Sequence, residues 1–158
     1  MKKERISKEN KSSSSANEKS VKIYERKWYV VDAKNKILGR LSTRVANLLS
    51  GKGKVEFTKY QDKGDNVVVI NAVKVAVSGN KEKAKKYYRY SGYPGGLKVQ
   101  TFEEVRQKNP ERLIVQSVSG MLPKNRLGKS MIKKLYVYPK DTHPHEAQKP
   151  IKLDGKNG

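Results

Sequence analysis

Apolar residues along this chain fall into short blocks separated by lysine-, glycine- and asparagine-rich stretches, and the period inside each block predicts its element. The β-branched and aromatic density of "WYVVDA" (Trp28 to Ala33) predicts a strand ending in turn-prone residues. In "ILGRLSTRVANLLSGKG", Leu38, Leu41, Val45, Leu48 and Leu49 share one side of a 3.6-residue wheel, with Arg40, Arg44 and Asn47 on the other and Gly51 placed to cap the end. This is an amphipathic helix with a basic outer stripe. "NVVVINA" (Asn66 to Ala72) is continuously apolar over a strand's length, as expected of a strand covered on both faces, and "KVAVS" either extends or follows it.

Further along, Thr101 and Glu104 have capping-box spacing at the start of "TFEEVRQK", and Pro110 suits the first position of a helix "PERLIVQSVSGML" that Pro123 then stops. "LGKSMIKKL" sets Leu127, Met131 and Leu135 four apart, with Lys129 and Lys133 on another face, and "LYVY" reads as a short final strand. From Pro139 the chain is polar and loop-like. Helices alternating with strands predict a layered α/β architecture, and no period of 20 to 50 residues indicates a solenoid.

Composition changes the picture at the N-terminus. "MKKERISKENKSSSSANEKS" has almost no large apolar side chain and four consecutive serines, so it cannot bury enough surface to offset the entropy of ordering. We expect three segments: a flexible Ser/Lys-rich extension over residues 1–23, a single domain over 24–153 and a tail over 154–158. Glu4, Glu9 and Glu18 and the lack of an apolar h-region argue against a secretory signal and disfavour an organellar transit peptide. The expected location is the cytoplasm, with an organelle left open.

Charge then selects the partner. Lys and Arg number 36 against 15 Asp and Glu, a net charge of +21, far beyond what solubility requires. A polyanion is implied, and the absence of an apolar run near 20 residues favours nucleic acid over a membrane. With no cysteine, thiolate metal sites, disulfides and Cys nucleophiles are excluded.

Three basic segments are candidates for that contact. Gly79 to Lys98 combines Lys81, Lys83, Lys85, Lys86, Arg89 and Lys98 with Tyr87, Tyr88, Tyr90 and Tyr93. Lysines neutralise phosphates and tyrosines stack on unpaired bases. The alternative for Tyr88 and Tyr90 is that they share a strand face and pack as core. "SGKGKVEFTKY" (Ser50 to Tyr60) lacks phosphate-loop spacing and reads as a helix end followed by a basic loop with Lys52, Lys54 and Lys59. After the apolar shoulder Gly120-Met121-Leu122-Pro123, the residues Lys124, Arg126, Lys129, Lys133 and Lys134 make a ridge without one acid.

Catalytic chemistry has little to work with. His143 and His145 lie near Asp141 and Glu146 but lack the further fixed ligands zinc requires, so they read as loop histidines that hydrogen-bond or stack. Asp62 and Asp65 in "QDKGDN" read as a turn before a strand rather than as paired carboxylates. No nucleophile-elbow pattern is present, and no metal or cofactor is expected.

These same blocks resemble the bacterial-type large-subunit ribosomal protein family L-thirteen: "WYVVDA", "LGRLST", "GDNVVVINA", "KVAVSGNK", "TFEE", "NPERLI", "HPHEAQKP" and, most specifically, "VSGMLPKNRLGKSMIKKLYVY" (Val118 to Tyr138). The resemblance covers roughly Tyr24 to Leu153. It implies a three-layer α/β/α fold around a small, mainly parallel sheet and a non-enzymatic role in the large ribosomal subunit. It also implies direct binding to 23S-type rRNA beside neighbouring large-subunit proteins, entry early in assembly, and a possible second contact with the protein's own mRNA leader. Mapped onto this sequence, it places RNA contact in the Gly79–Lys98 segment, the Lys124–Lys134 ridge and the segment of His143 and His145. The longer N-terminal extension departs from the family and is either an added rRNA-threading arm or simply disordered. The rival readings are a DNA-binding or chromatin-like protein, which should carry a helix-turn-helix or basic-zipper layout, and an RNA- or nucleotide-acting α/β enzyme, which should carry a polar constellation in a pocket.

Overall fold

A computed structural model describes residues 26–153; the expected N-terminal extension and the tail after residue 153 lie outside the described residues. In chain order the elements are β1 (Trp28–Asp32), α1 (Leu38–Ser50), β2 (Asn66–Ile70), one 3-10 turn (Ala72–Lys74), α2 (Lys81–Ala84), β3 (Lys86–Tyr90), β4 (Leu97–Thr101), α3 (Phe102–Lys108), α4 (Pro110–Met121), α5 (Arg126–Ile132), β5 (Leu135–Val137) and β6 (Ile151–Lys152).

The two most apolar blocks become neighbours. β1 and β2 pair in parallel with Val30 opposite Val68 and Val31 opposite Val69, and β5 and β6 complete a four-stranded parallel sheet of order β5-β2-β1-β6. Val67, Val68 and Val69 have no exposed surface, which is why their run shows no alternation: the strand has apolar cover on both faces. On one face Val31, Val67 and Val69 pack against Leu41, Val45 and Leu49 of α1, Phe102 and Val105 of α3, Leu113, Ile114 and Val118 of α4 and Met131 of α5.

The other face is closed differently. Val30, Val68 and Ile70 lie beneath Trp28, Tyr136 and Tyr138, and the His145 ring sits 5.0 Å from Trp28 and 4.6 Å from Tyr136. The order of strands explains the division. Steps from β1 to β2 to β5 run in one direction, so right-handed crossovers put their helices on one face; the return from β5 to β6 at the far edge must cross the other. That returning segment contains Pro139, Pro144 and Pro150 and forms no helix, so aromatic and imidazole rings supply the cover. The expected α/β class and small, mainly parallel sheet are present, with the covering layer on this second face made of rings and loop rather than helix. The strand at Leu135–Val137 is also not the last, because the polar stretch after Pro139 ends by adding β6 beside β1.

Local signals behave as their chemistry dictates. Gly51 adopts the left-handed conformation (φ 75°) and its N–H donates to the Leu48 carbonyl at the end of α1. Thr101 Oγ1 accepts the Glu104 N–H at 3.3 Å, and Pro110 opens α4. The "KVAVS" segment follows β2 rather than extending it: Asn71 turns the chain at φ 57°, and Ala76 then bridges to Ile37. The Gly79–Lys98 region is not a loop. Lys81 and Lys83 fall on α2, while Lys86, Tyr87, Tyr88, Arg89 and Tyr90 form β3, which pairs antiparallel with β4 in a separate two-stranded ribbon.

The backbone is tightest where α5 turns back on the end of α4. A Cβ on Gly128 would stand 1.8 Å from the Pro123 carbonyl oxygen, whereas one on Gly39 in α1 would meet nothing within 4 Å. Gly128→Ala is therefore expected to lower stability by about 2 to 3 kcal/mol in urea unfolding. Gly39→Ala should leave it unchanged or raise it by up to about 1 kcal/mol.

Candidate nucleic-acid interface

The close approach of Gly128 to Pro123 sets the position of the basic ridge. Leu122 is buried in the core, Pro123 ends the helical path, and Asn125 Oδ1 accepts the Gly128 N–H at 2.8 Å to start α5. Lys124, Arg126, Lys129 and Lys133 are exposed, while Met131 points inward. The shoulder is only half buried as expected, since Met121 stays 44% exposed and its sulfur lies 3.6 Å from Thr43 Oγ1.

Lys134 does not belong to this ridge. It is 7% exposed, and its ammonium donates to the Leu49 carbonyl at the end of α1 (3.1 Å) and to Asp62 (2.5 Å). Burial pushes its pKa down, while the hydrogen bond and charge of Asp62 oppose that shift. Lys54, expected in the exposed basic loop, is likewise turned inward: its ammonium holds Asp65 at 2.6 Å and the Lys63 carbonyl at 3.0 Å. Asp65 also accepts the Lys27 N–H at 3.0 Å. The segment between α1 and β2 is thus pinned by Lys54 and Lys134, with Asp62 and Asp65 as their counter-charges. Gly64 lets this segment touch α1, since a Cβ there would lie 1.7 Å from the Leu49 carbonyl oxygen.

Lys52 and Lys59 remain exposed, and the fold brings them beside the ridge. An open groove of roughly 850 Å³ runs between them and the α4–α5 corner, floored by Ala46, Phe57, Met121 and Met131, with Asn47 and Asn125 among its polar lining. No acidic side chain lines it. Thr43, Asn47, Met121 and Asn125 were not among the predicted contacts; only Asn125 carried a readable signal, an Asn placed to cap the helix that follows. On α1, Arg40 is exposed and Arg44 half-buried.

The other predicted segments lie elsewhere in the fold. Lys81, Lys83, Lys85, Lys86, Arg89 and Lys98 are all exposed on α2 and the β3–β4 ribbon. Tyr87 packs against the core, but Tyr88 and Tyr90, on the opposite face, are 63% and 65% exposed, so those two are not core residues. His143 and His145 are half-buried on the second sheet face. The Tyr138 hydroxyl is 2.9 Å from His145 Nε2, and the His145 N–H donates to His143 Nδ1. Burial, and secondarily His143, push the His145 pKa down. The His145 ring is packed against Trp28 and Tyr136 on this sheet face. Among the described residues no three His, Asp or Glu side chains are grouped to hold a metal ion, and no helix is long and apolar enough to cross a membrane.

Residues 26–144 match the family model described as Ribosomal protein L13. The large ribosomal subunit protein uL13 of Hahella chejuensis is 55% identical over 129 residues, covering 82% of this chain and 91% of that protein. Staphylococcus aureus uL13 is 55% identical over 135 residues (85% and 91%), and uL13c of Porphyra purpurea is 55% identical over 128 residues (81% and 90%).

The buried and exposed lysines of the ridge should separate in a stability measurement. Lys134→Ala leaves the Leu49 carbonyl without its donor and Asp62 with only the Arg26 guanidinium, 3.9 Å away, and is expected to cost about 2 to 3 kcal/mol. Lys133→Ala should stay within about 0.5 kcal/mol of the parent. Chemical denaturation of the two variants checks both.

Proposed function

The chain belongs to the ribosomal protein L13 family, a family of ribosomal proteins rather than enzymes, and on that footing we propose that it is a structural component of the large ribosomal subunit that binds 23S-type rRNA. It would do so beside neighbouring large-subunit proteins and from an early stage of assembly. The observation that carries this reading is the groove at the α4–α5 corner. Lys52 and Lys59 line it, Lys124, Arg126, Lys129 and Lys133 lie on the chain segment that contributes Pro123, Asn125 and Met131 to it, all six are exposed, and the lining holds no acid. Cations lining and flanking one concave surface fit the phosphate backbones of folded RNA better than a flat field of charge does.

Each contacted phosphate releases condensed counterions, so affinity falls with salt at a log–log slope near −0.9 per duplex phosphate and about −0.7 per single-strand phosphate. RNA is favoured over DNA because the cations sit on loops, a short helix and a ribbon, and among the described residues no helix projects to enter a major groove. A-form RNA hides its base edges in a deep major groove, so specificity rests on the shape of the folded RNA and on unpaired bases.

Equilibrium binding of the full chain to large-subunit rRNA, a scrambled RNA of equal length and duplex DNA, each across a salt series, tests the proposal. Preference for the rRNA by roughly tens-fold at moderate salt is the expected result. Equal binding to all three polyanions would reduce the surface to a generic attractor and overturn the reading.

A further inference from the structure

The chain has two histidines, and the fold brings both to one place on the segment that returns from β5 to β6. The His145 ring packs against Trp28 of β1 and Tyr136 of β5, and its Nε2 lies 2.9 Å from the Tyr138 hydroxyl. The His145 backbone N–H donates to His143 Nδ1 at 3.2 Å, so that nitrogen carries a lone pair and not a proton. The two ring centres are 6.4 Å apart.

Little else fastens this stretch. Its start is tied to the end of β2, where the Asn71 N–H donates to the Lys140 carbonyl and the Asn71 side-chain amide lies 3.4 Å from Asp141. Beyond that point Thr142, Pro144 and residues 146–149 are exposed. β6 then adds two exposed residues to the sheet edge, Ile151 opposite Tyr29 and Lys152 opposite Val30. The Leu153 N–H donates to the Val30 carbonyl at 2.9 Å, and its side chain packs against the helix-covered core. A strand this short has few buried contacts to resist local opening. The His145 ring is therefore the main hold between Asp141 and the edge strand.

A proton disturbs both contacts. On His143 Nδ1 it removes the acceptor for the His145 N–H. On His145 it places a charge against Trp28, Tyr136 and Tyr138, which carry none, over the apolar floor of Val30, Val68 and Ile70, with His143 as a second imidazole that can only repel it. The charged residues of its own segment and strand, Lys140, Glu146, Lys149 and Lys152, are exposed, Asp141 lies beside Asn71, and among the described residues neither ring is in an ion pair with a carboxylate. We propose that His143 and His145 form a clasp that keeps β6 on β1 while both rings are neutral and lets the C-terminal segment lift away on acidification. Burial, and then His143, hold the His145 pKa below its ordinary value, so the open segment takes up a proton more readily than the closed one. Closure is thus fully supported above the ordinary histidine pKa of about 6.5 and weakens as pH falls below it. The proposal makes no use of the rRNA reading.

Amide hydrogen exchange of the full chain, corrected for the intrinsic pH dependence of exchange and read by NMR at about pH 7.5 and 5.5, either side of the ordinary histidine pKa, tests the clasp. The Leu153 N–H reports β6, and the Val67 N–H, which donates to the Lys134 carbonyl inside the sheet, reports the core. Protection at Leu153 is expected to fall by up to about tenfold between the two conditions, the limit for one imidazole that is neutral when closed and ordinary when open, while Val67 stays unchanged. His145→Phe keeps a ring on Trp28 without a titrating nitrogen and should remove most of the pH dependence; His145→Ala should leave Leu153 weakly protected at both values with Val67 still protected. Trp28, the chain's one tryptophan, follows the ring stack by its fluorescence, and its emission should change over the same pH range as the Leu153 protection. Equal Leu153 protection at both values in the parent overturns the proposal, and a Trp28 response without it shows a ring that titrates in place without opening anything. A pH dependence that survives intact in His145→Phe overturns it as well.

Discussion

A parallel sheet cannot leave either face wet, and this requirement organises the whole domain. β2 lies in the interior of the sheet with Val67, Val68 and Val69 sealed from solvent, so two separate covers must be found for one strand. Helices α1, α3, α4 and α5 form one cover. The other is assembled from Trp28 of β1, Tyr136 of β5, and Tyr138 and His145 of the segment returning from β5 to β6. With apolar residues committed to both layers, most cations are left to the corners, the outer helix faces and the ribbon. The exposed basic surface is thus a by-product of how the core closes.

A chain with 36 cations and 15 acids also has to decide which charges to spend inside. Lys134 and Lys54 act as braces, each with a carboxylate partner, Asp62 or Asp65, on the segment they fasten. Cations near the last carbonyls of α1 are favourably placed against its dipole, so Lys134 bonding the Leu49 carbonyl joins electrostatics to geometry. These pairs consume acids and leave the outward surface more uniformly positive. Paired lysines inside and unpaired lysines outside therefore belong to one distribution of charge.

Much of this was legible in the sequence because the signals are local. The strand at "WYVVDA", the helix from Leu38 to its Gly51 cap, the Thr101 cap and the Pro110 start depend on neighbours within a few residues. β6 was not legible: a two-residue strand has no period, and its partner β1 lies more than a hundred residues away in sequence. The ribbon was hidden by composition, since lysine and glycine mask the alternation of Tyr88, Tyr90, Leu97 and Val99, and its strands pair only with each other. Lys134 gave a warning that charge counting passed over. It stands seven residues after Leu127 and three after Met131, the spacing of an inward-facing position at a helix end. That His145 packs and does not project depends on Trp28, far away in the chain, and no local pattern states it.

The central claim is that the cations around the groove act through their position and not through their number alone. It is tested most directly by exchanging charge for charge. One variant replaces Lys124, Arg126, Lys129 and Lys133, on the segment that runs from the α4–α5 corner, with alanine; the other replaces Lys34, Lys74, Lys108 and Arg112, which are also exposed but lie before α1, on the 3-10 turn, on α3 and at the start of α4. Both lose the same net charge, and both are titrated with large-subunit rRNA across a salt series. The account predicts that only the first variant loses affinity steeply, with its log–log salt slope reduced by about 0.7 to 0.9 for each phosphate contact removed. Equal loss of affinity and slope in the two variants would contradict it.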